Sequence, residues 1–227
     1  MRLTYFGHSA FLLEIAGQRL AFDPWLRANP HGPYDPAAVV CDYVLCTHAH
    51  DDHLGDALEL SRRHGATIVA PYELAEHLAA LGAKTIDLMP GGGVDLPWGR
   101  IDMTPAIHSS SLEFGDGKTQ SMGVASGYVV HADRRTLYHA GDTALFGDMR
   151  FIGRFGLDVA LVPIGDFYTM GPRDAVEALN FLRPKLAVPM HYNSNARVRV
   201  DPQAFAAAAG QAGHVVKVMA PRETVEL

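Results

Sequence analysis

The residues best suited to chemistry form a dense cluster of ionisable side chains. The segment Thr47-His48-Ala49-His50-Asp51-Asp52-His53 directly follows an apolar run at residues 42–46, and five of the six residues from His48 to His53 are ionisable. In an extended segment His48 and His50 point to the same side, as residues i and i+2 do. Imidazoles and carboxylates without a thiolate suit zinc, iron or manganese. A solvated surface explains this pattern poorly, so the cluster predicts a metal site.

One loop does not supply all the ligands that a metal site needs, and three later segments offer more. Each places a polar side chain directly after an apolar run. These side chains are His108 after residues 101–107, Asp142 after residues 136–138, and His191 after residues 185–189. Loops held at strand ends are where catalytic groups concentrate. A surface or structural role explains any one of the three better than a metal ligand does, but together with the cluster they favour a metal centre built from several strand ends.

The surrounding sequence predicts the strands and helices that position these groups. Short apolar runs between turn residues predict strands, and apolar residues at helical spacing predict helices. The predicted strands are 2–6, 11–15, 19–22, 42–46, 67–70, 85–88, 101–107, 122–130, 136–138, 158–164, 185–189 and 215–219, and the predicted helices are 54–63, 74–81, 174–182 and 202–209. This order indicates sheets with helices layered outside them, in the α+β or α/β class, and a single domain over residues 1–227.

Composition excludes several classes of protein. Of the 227 residues, 48% are hydrophobic and 19% are charged, which supports a sizeable core and excludes disorder. No uncharged apolar run approaches the ~18 residues of a membrane span. The net charge of −6 disfavours a nucleic-acid partner. Two cysteines exclude a disulfide scaffold and predict a reducing, cytoplasmic location, while a homo-oligomer stays open.

The order and spacing of the candidate ligands resemble the metallo-β-lactamase superfamily over nearly the whole chain. The matching pattern is His48-x-His50-x-Asp52-His53, then His108, then Asp142 in an Ala-Gly-Asp-Thr segment, then His191. A subgroup of small bacterial and archaeal metal-dependent hydrolases, related to the ascorbate-phosphate lactonases, is more similar still. It shares segments like those at residues 4–11, 22–25, 168–172 and 190–193.

This resemblance implies a four-layer αβ/βα sandwich that holds two divalent metal ions, zinc or else manganese or iron, at one edge between two sheets. The implied ligands of the first ion are His48, His50 and His108; those of the second are Asp52, His53 and His191; Asp142 bridges both. Asp51 falls on a variable position and is not a ligand. A glutamate stands in place of His50 in the di-iron oxygen-reducing branch, so redox chemistry is disfavoured.

The implied activity is hydrolysis of a small ester, lactone or phosphoester by a hydroxide bound between the two ions. Expected catalytic residues are Asp52 and Asp142, either of which could pass a proton to the leaving group, and His8. For His8 the alternatives are a substrate or oxyanion contact and a local hydrogen bond. Asp23 is expected either to orient a ligand histidine or to form an Asp-Pro turn.

Two other functions stay open at this point. One is a nuclease or phosphodiesterase that acts on nucleic acid or nucleotides, because RNA-processing branches of the superfamily share the ligand pattern. The other is a sensor that binds metals without catalysis. The sequence departs from the usual pattern at residues 166–168 and 194–197, where substrate is expected to be contacted, so the substrate itself is not predicted.

Overall fold

The structure, a computed structural model that describes residues 1–115 and 117–227, contains two large β-sheets with helices on their outer faces. In the described residues the strands are β1 (Arg2–Gly7), β2 (Ala10–Ile15), β3 (Gln18–Phe22), β4 (Tyr43–Leu45), β5 (Thr67–Pro71), β6 (Thr85–Leu88), β7 (Gly93–Leu96), β8 (Gly99–Pro105), β9 (Ser111–Glu113), β10 (Thr119–Ser121), β11 (Ser126–Ala132), β12 (Arg135–His139), β13 (Val159–Pro163), β14 (Leu186–Met190) and β15 (Thr224–Glu226). The helices there are α1 (Asp51–Leu54), α2 (Ala57–His64), α3 (Tyr72–Ala80), α4 (Met149–Ile152), α5 (Pro172–Leu182) and α6 (Pro202–Gln211).

Both sheets combine antiparallel and parallel pairing. The first has the strand order β15-β1-β2-β3-β4-β5-β6, and the second has the order β14-β13-β12-β11-β8-β7. In the second sheet β12, β13 and β14 are parallel. Strand β8 is antiparallel to β11, which is antiparallel to β12, so β8 runs in the same direction as β12. The carboxyl ends of β8, β12 and β14 therefore lie at one edge of the sheet.

The buried side chains define four layers. Alternate residues of the two sheets pack into a shared core, which includes Leu3, Tyr5, Leu13, Phe22, Tyr128, Val130 and Leu137. The opposite face of the first sheet packs against α2 and α3 through a second cluster that includes Val44, Ile68, Leu60, Leu74 and Leu78. Helix α5 packs on β13 in the second sheet. The helix–sheet–sheet–helix order confirms the α+β class and the layered sandwich that the sequence resemblance implies.

Most predicted elements are present, and the differences lie where pairing depends on distant residues. The strand predicted at 215–219 is wrong, because Val216 forms only an isolated bridge with Ala187. The last strand is instead β15, which pairs with β1. The strands β7, β9 and β10 and the helix α4 were not predicted. In the described residues, no helix is long and apolar enough to cross a membrane.

The helix predicted at 54–63 is two helices, α1 and α2, separated at Gly55. This glycine has a left-handed φ of 42°. A β-carbon at Gly55 would lie 2.6 Å from the Cα of Trp25, so only glycine allows this approach. The close contact places the segment that follows β3 beside α1, and both contribute residues to the site described below.

Asp158 lies at the opposite edge of the second sheet and joins three strands. Its buried carboxylate accepts hydrogen bonds from the Thr136 backbone N–H at 2.8 Å and the Lys185 ammonium at 2.8 Å. Arg135 approaches the same carboxylate at 3.5 Å. Burial raises the pKa of Asp158, but the Lys185 and Thr136 hydrogen bonds outweigh it and hold the pKa below its ordinary value. The ionised carboxylate therefore stabilises the fold.

We expect Asp158→Ala to lower the free energy of unfolding by about 2 kcal/mol at pH 7, because the variant loses charge-assisted hydrogen bonds and leaves the Thr136 N–H unpaired. A carboxyl with a depressed folded-state pKa stabilises above its unfolded pKa of about 3.9, and this contribution is lost as the pH falls through the folded value. Urea denaturation of both proteins between pH 7 and pH 3 should show the difference shrinking below about pH 4. Asp87→Ala, at an exposed strand position, is the matched control and should change stability little. A difference that grows in acid contradicts this account.

Candidate metal centre

Four strand ends bring the seven predicted ligands together at one edge of the sandwich. The groups come from the segment after β4 and from the ends of β8, β12 and β14; they are His48, His50, Asp52, His53, His108, Asp142 and His191. The chain turns into a helix at Asp51, so Asp52 and His53 lie on the first turn of α1. Asp51 itself is exposed and belongs to none of the ligand clusters in the described residues.

The first cluster contains three histidines. Ligand atoms of His48, His50 and His108 all lie within 4.8 Å of one another. The Nε2 atom of His48 is 3.0 Å from the Nδ1 atom of His50. The ring of His108 lies 5.1 Å from that of His48 and 5.2 Å from that of His50. Three imidazoles in this arrangement can bind one metal ion.

Asp142 lies between this cluster and a second one. Its Oδ1 atom is 3.3 Å from His53 Nε2, and its Oδ2 atom is 2.9 Å from His191 Nε2 and 3.6 Å from His108 Nε2. Ligand atoms of His53 and His191 also lie within 4.8 Å of Asp52. One carboxylate thus contacts histidines of both clusters, which is the placement that a bridging ligand requires.

Unpaired buried atoms show that these residues fit a metal ion. His53 Nε2 and Asp142 Oδ1 are buried without a hydrogen-bond partner, although they face each other. Buried polar atoms are rarely left unpaired, because desolvation without a partner is unfavourable. A ring nitrogen and a carboxylate oxygen that converge in this way suit a cation held between them. The nitrogen and oxygen ligand set suits zinc, manganese or iron.

Asp23 holds the ligand loop in place. Its fully buried carboxylate accepts hydrogen bonds from the Thr47 N–H, the Thr47 hydroxyl and His53 Nδ1, each at 2.8 Å. Because the Thr47 hydroxyl donates to Asp23, it accepts from His48 Nδ1 at 3.0 Å. His48 and His53 therefore each donate through Nδ1 and keep Nε2 free for a metal. The structure thus places Asp23 against the Nδ1 atom of the candidate ligand His53, as the first of the two expectations for Asp23 requires.

The second sheet also supports this loop. The Ser126 hydroxyl donates to the carbonyl oxygen of Thr47 at 2.9 Å. The Tyr128 hydroxyl contacts the carbonyl oxygens of Cys46 and Val69 at 2.9 and 3.1 Å. These bonds link β11 to the end of β4, so the ligands of the two sheets keep a defined separation.

The electrostatics favour the protonation states that metal ligands need. Burial lowers the pKa of His48 well below its ordinary value and also lowers the pKa of His50 and of His108, so these imidazoles are neutral at pH 7. Burial alone would raise the pKa of Asp142, but His191 and His53 outweigh it and hold the pKa well below the ordinary range. Neutral imidazoles around an ionised carboxylate are ready to bind a cation.

His53 differs from the other histidines. Burial lowers its pKa, but the carboxylates of Asp142 and Asp23 outweigh burial and raise the pKa well above the ordinary value. The same negative surroundings that favour a proton on His53 also favour a metal cation at its free Nε2 atom.

His8 is buried behind Asp52. Its Nε2 atom lies 3.1 Å from Asp52 Oδ2, and its ring is 4.1 Å from the ring of His191. Burial lowers the pKa of His8 to about 4, so the neutral ring donates through Nε2 to the carboxylate. The side chain is fully buried. This placement favours the local hydrogen-bonding role over direct contact with a substrate.

Two histidines outside the predicted ligand set have other partners. Buried His139 donates through Nε2 to the Ser9 carbonyl at 3.0 Å and accepts from the Gly141 N–H through Nδ1 at 3.1 Å. Both ring nitrogens are thus used. Half-buried His214 contacts the Asn180 side chain at 2.8 Å. Neither residue is available to the metal centre.

The candidate centre opens into a cleft of about 420 Å³, whose wall contains His50, Asp52, His108, Ser109, Asp142, Tyr168, His191 and Asn195. Of the residues that the sequence did not mark, Ser109 follows directly after a ligand, and that adjacency is the signal that could have identified it. Tyr168 and Asn195 lie in the two segments where the sequence departs from the superfamily pattern. A separate apolar groove between α5 and α6 is lined by other residues.

Comparison with known proteins agrees with this geometry. Residues 18–192 match the family described as the Beta-lactamase superfamily domain. The chain is 74% identical over 227 residues to a UPF0173 metal-dependent hydrolase of Opitutus terrae, with 100% of both chains covered. It is 44% identical to a UPF0173 metal-dependent hydrolase of Thermus thermophilus, with 100% of this chain and 99% of the relative covered.

A solved structure shows the same fold. Igni18, described as a novel metallo hydrolase from the archaeon Ignicoccus hospitalis, is 42% identical and superposes with a TM-score of 0.89, over 99% of this chain and 97% of that chain. The chain therefore belongs to the metallo-β-lactamase superfamily. Within it, the relatives place the chain among the UPF0173 proteins, and it is a metal-dependent hydrolase.

We expect Asp23→Ala to weaken metal affinity by about 10- to 100-fold, because His53 loses the partner that fixes its orientation. Asp23→Asn, which can still accept one hydrogen bond, should have an intermediate effect. Competition with a chelating indicator dye measures the affinity, and circular dichroism checks that each variant is folded. Asp87→Ala is the control for loss of one carboxylate. A folded Asp23→Ala protein with unchanged affinity would show that Asp23 does not support the ligands.

Proposed function

We propose that the protein hydrolyses small esters, lactones or phosphoesters with the help of two divalent metal ions. The observation that carries this proposal is the convergence of histidines from both groups on the buried carboxylate of Asp142, whose Oδ1 atom has no hydrogen-bond partner. In this proposal His48, His50 and His108 would hold one ion, and Asp52, His53 and His191 would hold the other. Asp142 faces histidines of both groups and would be a ligand shared between them.

Divalent ions held by these residues would supply an activated water, with its pKa lowered toward ~7, and a positive charge that polarises the bond to be cleaved. The protein's own residues keep the carboxylates ionised and the imidazoles available as ligands, and they transfer a proton to the leaving group. Asp52 is better placed for the proton than Asp142, because 38% of its side chain is exposed and it lines the cleft. Burial raises the pKa of Asp52, but the hydrogen bond from His8 and the charge of His53 hold the pKa below the ordinary range.

In this scheme His8 acts through Asp52 and is a positioning residue. Its Nε2–H donates to Asp52 Oδ2, which turns the carboxylate toward the cleft and keeps it ionised. Asp52 and Asp142 are the proposed catalytic carboxylates.

The cleft and the overall charge support a small substrate. A cleft of about 420 Å³ falls within the range of small-molecule sites. The net charge of −6 opposes the binding of a long polyanion such as RNA. We therefore favour a small-molecule hydrolase over a nuclease and over a sensor that binds metals without catalysis.

We expect elemental analysis of the purified protein to find two metal equivalents. Asp142→Ala should retain about one equivalent or less, because the variant removes the carboxylate that faces both histidine groups. Hydrolysis should fall by about a thousand-fold or more, since bound metal contributes several kcal/mol to catalysis. His214→Ala is the matched control and should keep both metal and rate. An Asp142→Ala protein with full metal content and rate would remove the bridging role.

A substrate screen tests the substrate class. We expect metal-loaded protein, with zinc or manganese supplied, to hydrolyse at least one lactone, carboxylic ester or phosphomonoester, and the activity should disappear with a chelator and return with metal. Short RNA and phosphodiesters are the comparison arms. Turnover of RNA alone would favour a nuclease, and no turnover by fully metal-loaded protein would favour a sensor.

A further inference from the structure

Three side chains form a lip at the mouth of the cleft: Phe167, Tyr168 and Arg197. Arg197 Nη1 donates to the Tyr168 hydroxyl oxygen at 2.6 Å. The guanidinium carbon also lies over the Phe167 ring, 5.2 Å from its centroid. The two aromatic rings meet edge to face at 4.7 Å. Arg197 is thus held by one ring from its face and by the other through a hydrogen bond.

Both aromatic side chains of the lip are open to solvent. Phe167 is 65% exposed and Tyr168 is 44% exposed. Exposed aromatic side chains that are held in place next to a cleft commonly mark a binding site. Tyr168 lines the same cleft as the candidate ligands Asp142 and His191. The lip therefore belongs to the entrance of the metal site.

The lip presents hydrogen-bond donors that have no anionic partner. Among the described residues, Arg197 forms no ion pair with a carboxylate, and most of its N–H groups remain available. Because the Tyr168 oxygen accepts from Arg197, its own proton is free to donate. Asn195 Oδ1 accepts from the Arg197 backbone N–H at 2.9 Å, which leaves its amide N–H groups free. A cation beside neutral donors matches a carboxylate or a phosphate.

The backbone fixes the lip relative to the metal ligands. Asp166 and Phe167 have left-handed φ values of 59° and 47°, a backbone conformation that is unfavourable for residues other than glycine. The Met170 N–H donates to the carbonyl oxygen of Thr143, the residue after Asp142, at 2.9 Å. Strained backbone of this kind persists where surrounding contacts determine it, and it concentrates at functional sites.

The segment that carries Arg197 is fixed in a similar way. It follows His191 by a few residues, and Asn193 has a left-handed φ of 57°. The Asn193 N–H donates to the Val198 carbonyl oxygen at 2.7 Å, and the Asn193 side chain accepts from the Val200 N–H at 3.0 Å. The lip thus has two anchors, each adjacent in the chain to a predicted metal ligand.

We propose that the lip binds an anionic oxygen group of the substrate, a carboxylate or a phosphate, while the bond to be cleaved lies at the metal centre. This proposal rests on the hydrolase function proposed above and specifies its substrate class as small esters, lactones or phosphoesters that carry a second, negatively charged group. The group that the lip binds is distinct from the group that is hydrolysed.

Dicarboxylate binding to the metal-loaded protein tests the proposal without relying on catalysis. Calorimetry would compare acetate with malonate, succinate and glutarate. Acetate can occupy only one of the two sites, whereas each of the other three offers a second carboxylate, at a different distance from the first. 3-Phosphonopropionate, with the carbon chain of succinate, distinguishes phosphate from carboxylate preference. We expect at least one of the four longer anions to bind about ten-fold or more tightly relative to acetate, the effect of one charge-assisted contact.

Arg197→Met should abolish this advantage and leave the affinity for acetate unchanged. Tyr168→Phe should reduce the advantage in part. Arg199→Met is the matched control, because this exposed arginine lies two residues further along and outside the lip. It should keep the full advantage. If none of the four anions outcompetes acetate, or if the advantage survives in Arg197→Met, the lip does not bind anions.

Hydrolysis by the same preparations separates this proposal from the function on which it rests. Mono-4-nitrophenyl succinate and 4-nitrophenyl butyrate have chains of similar length, and only the succinate ester has a free carboxylate. Equal hydrolysis of the two esters, with no advantage for the dianions, would retain the hydrolase and overturn the lip. An Arg197-dependent binding advantage with no hydrolysis of any ester would retain the lip and overturn the hydrolase.

Discussion

The site depends above all on the burial of one carboxylate, that of Asp142, among imidazoles. A carboxylate removed from water is stable only where positive charge or hydrogen-bond donors compensate for lost hydration. Ring nitrogens of His53, His108 and His191 face it, and each comes from a strand end different from that of Asp142. This edge of the sandwich is therefore organised around a single carboxylate. The imidazoles that surround the carboxylate are also the side chains that could bind a metal cation.

A second buried carboxylate, that of Asp23, differs from the Asp142 carboxylate in its hydrogen bonding. Among the described residues, the Asp23 carboxylate forms its hydrogen bonds with Thr47 and His53, and these bonds fix which nitrogen of His53 faces Asp142. Asp142 keeps an oxygen unpaired. The two carboxylates have the same chemistry and similar burial, but one completes the protein's own hydrogen bonding, whereas the other leaves room for a ligand. This difference follows from geometry and not from residue type.

The backbone of the two segments beside the cleft has left-handed φ values at residues that are not glycine. Left-handed φ values occur at the candidate ligand His191 and at Asn193, two residues further along. They also occur at Asp166 and Phe167, in the segment whose Met170 N–H donates to the carbonyl oxygen of Thr143. Residues that are not glycine adopt this conformation at a free-energy cost, so it is retained where neighbouring contacts enforce it. The same strand ends therefore position both the walls of the cleft and the candidate metal ligands.

The sequence by itself determined the local features of this protein. Periodicity identified most strands and the longer helices, and the residues from His48 to His53 marked the metal site because their spacing is short. The order of the remaining ligands was predictable from the superfamily pattern. Only the tertiary structure decided that Asp23 would support His53, that His8 would lie behind Asp52, and that Arg197 would reach Tyr168. These partners are tens of residues apart, and no local pattern encodes a contact that exists only when sheets pair and loops pack. The same reason explains residues 215–219, which have the composition of a strand but found only an isolated bridge.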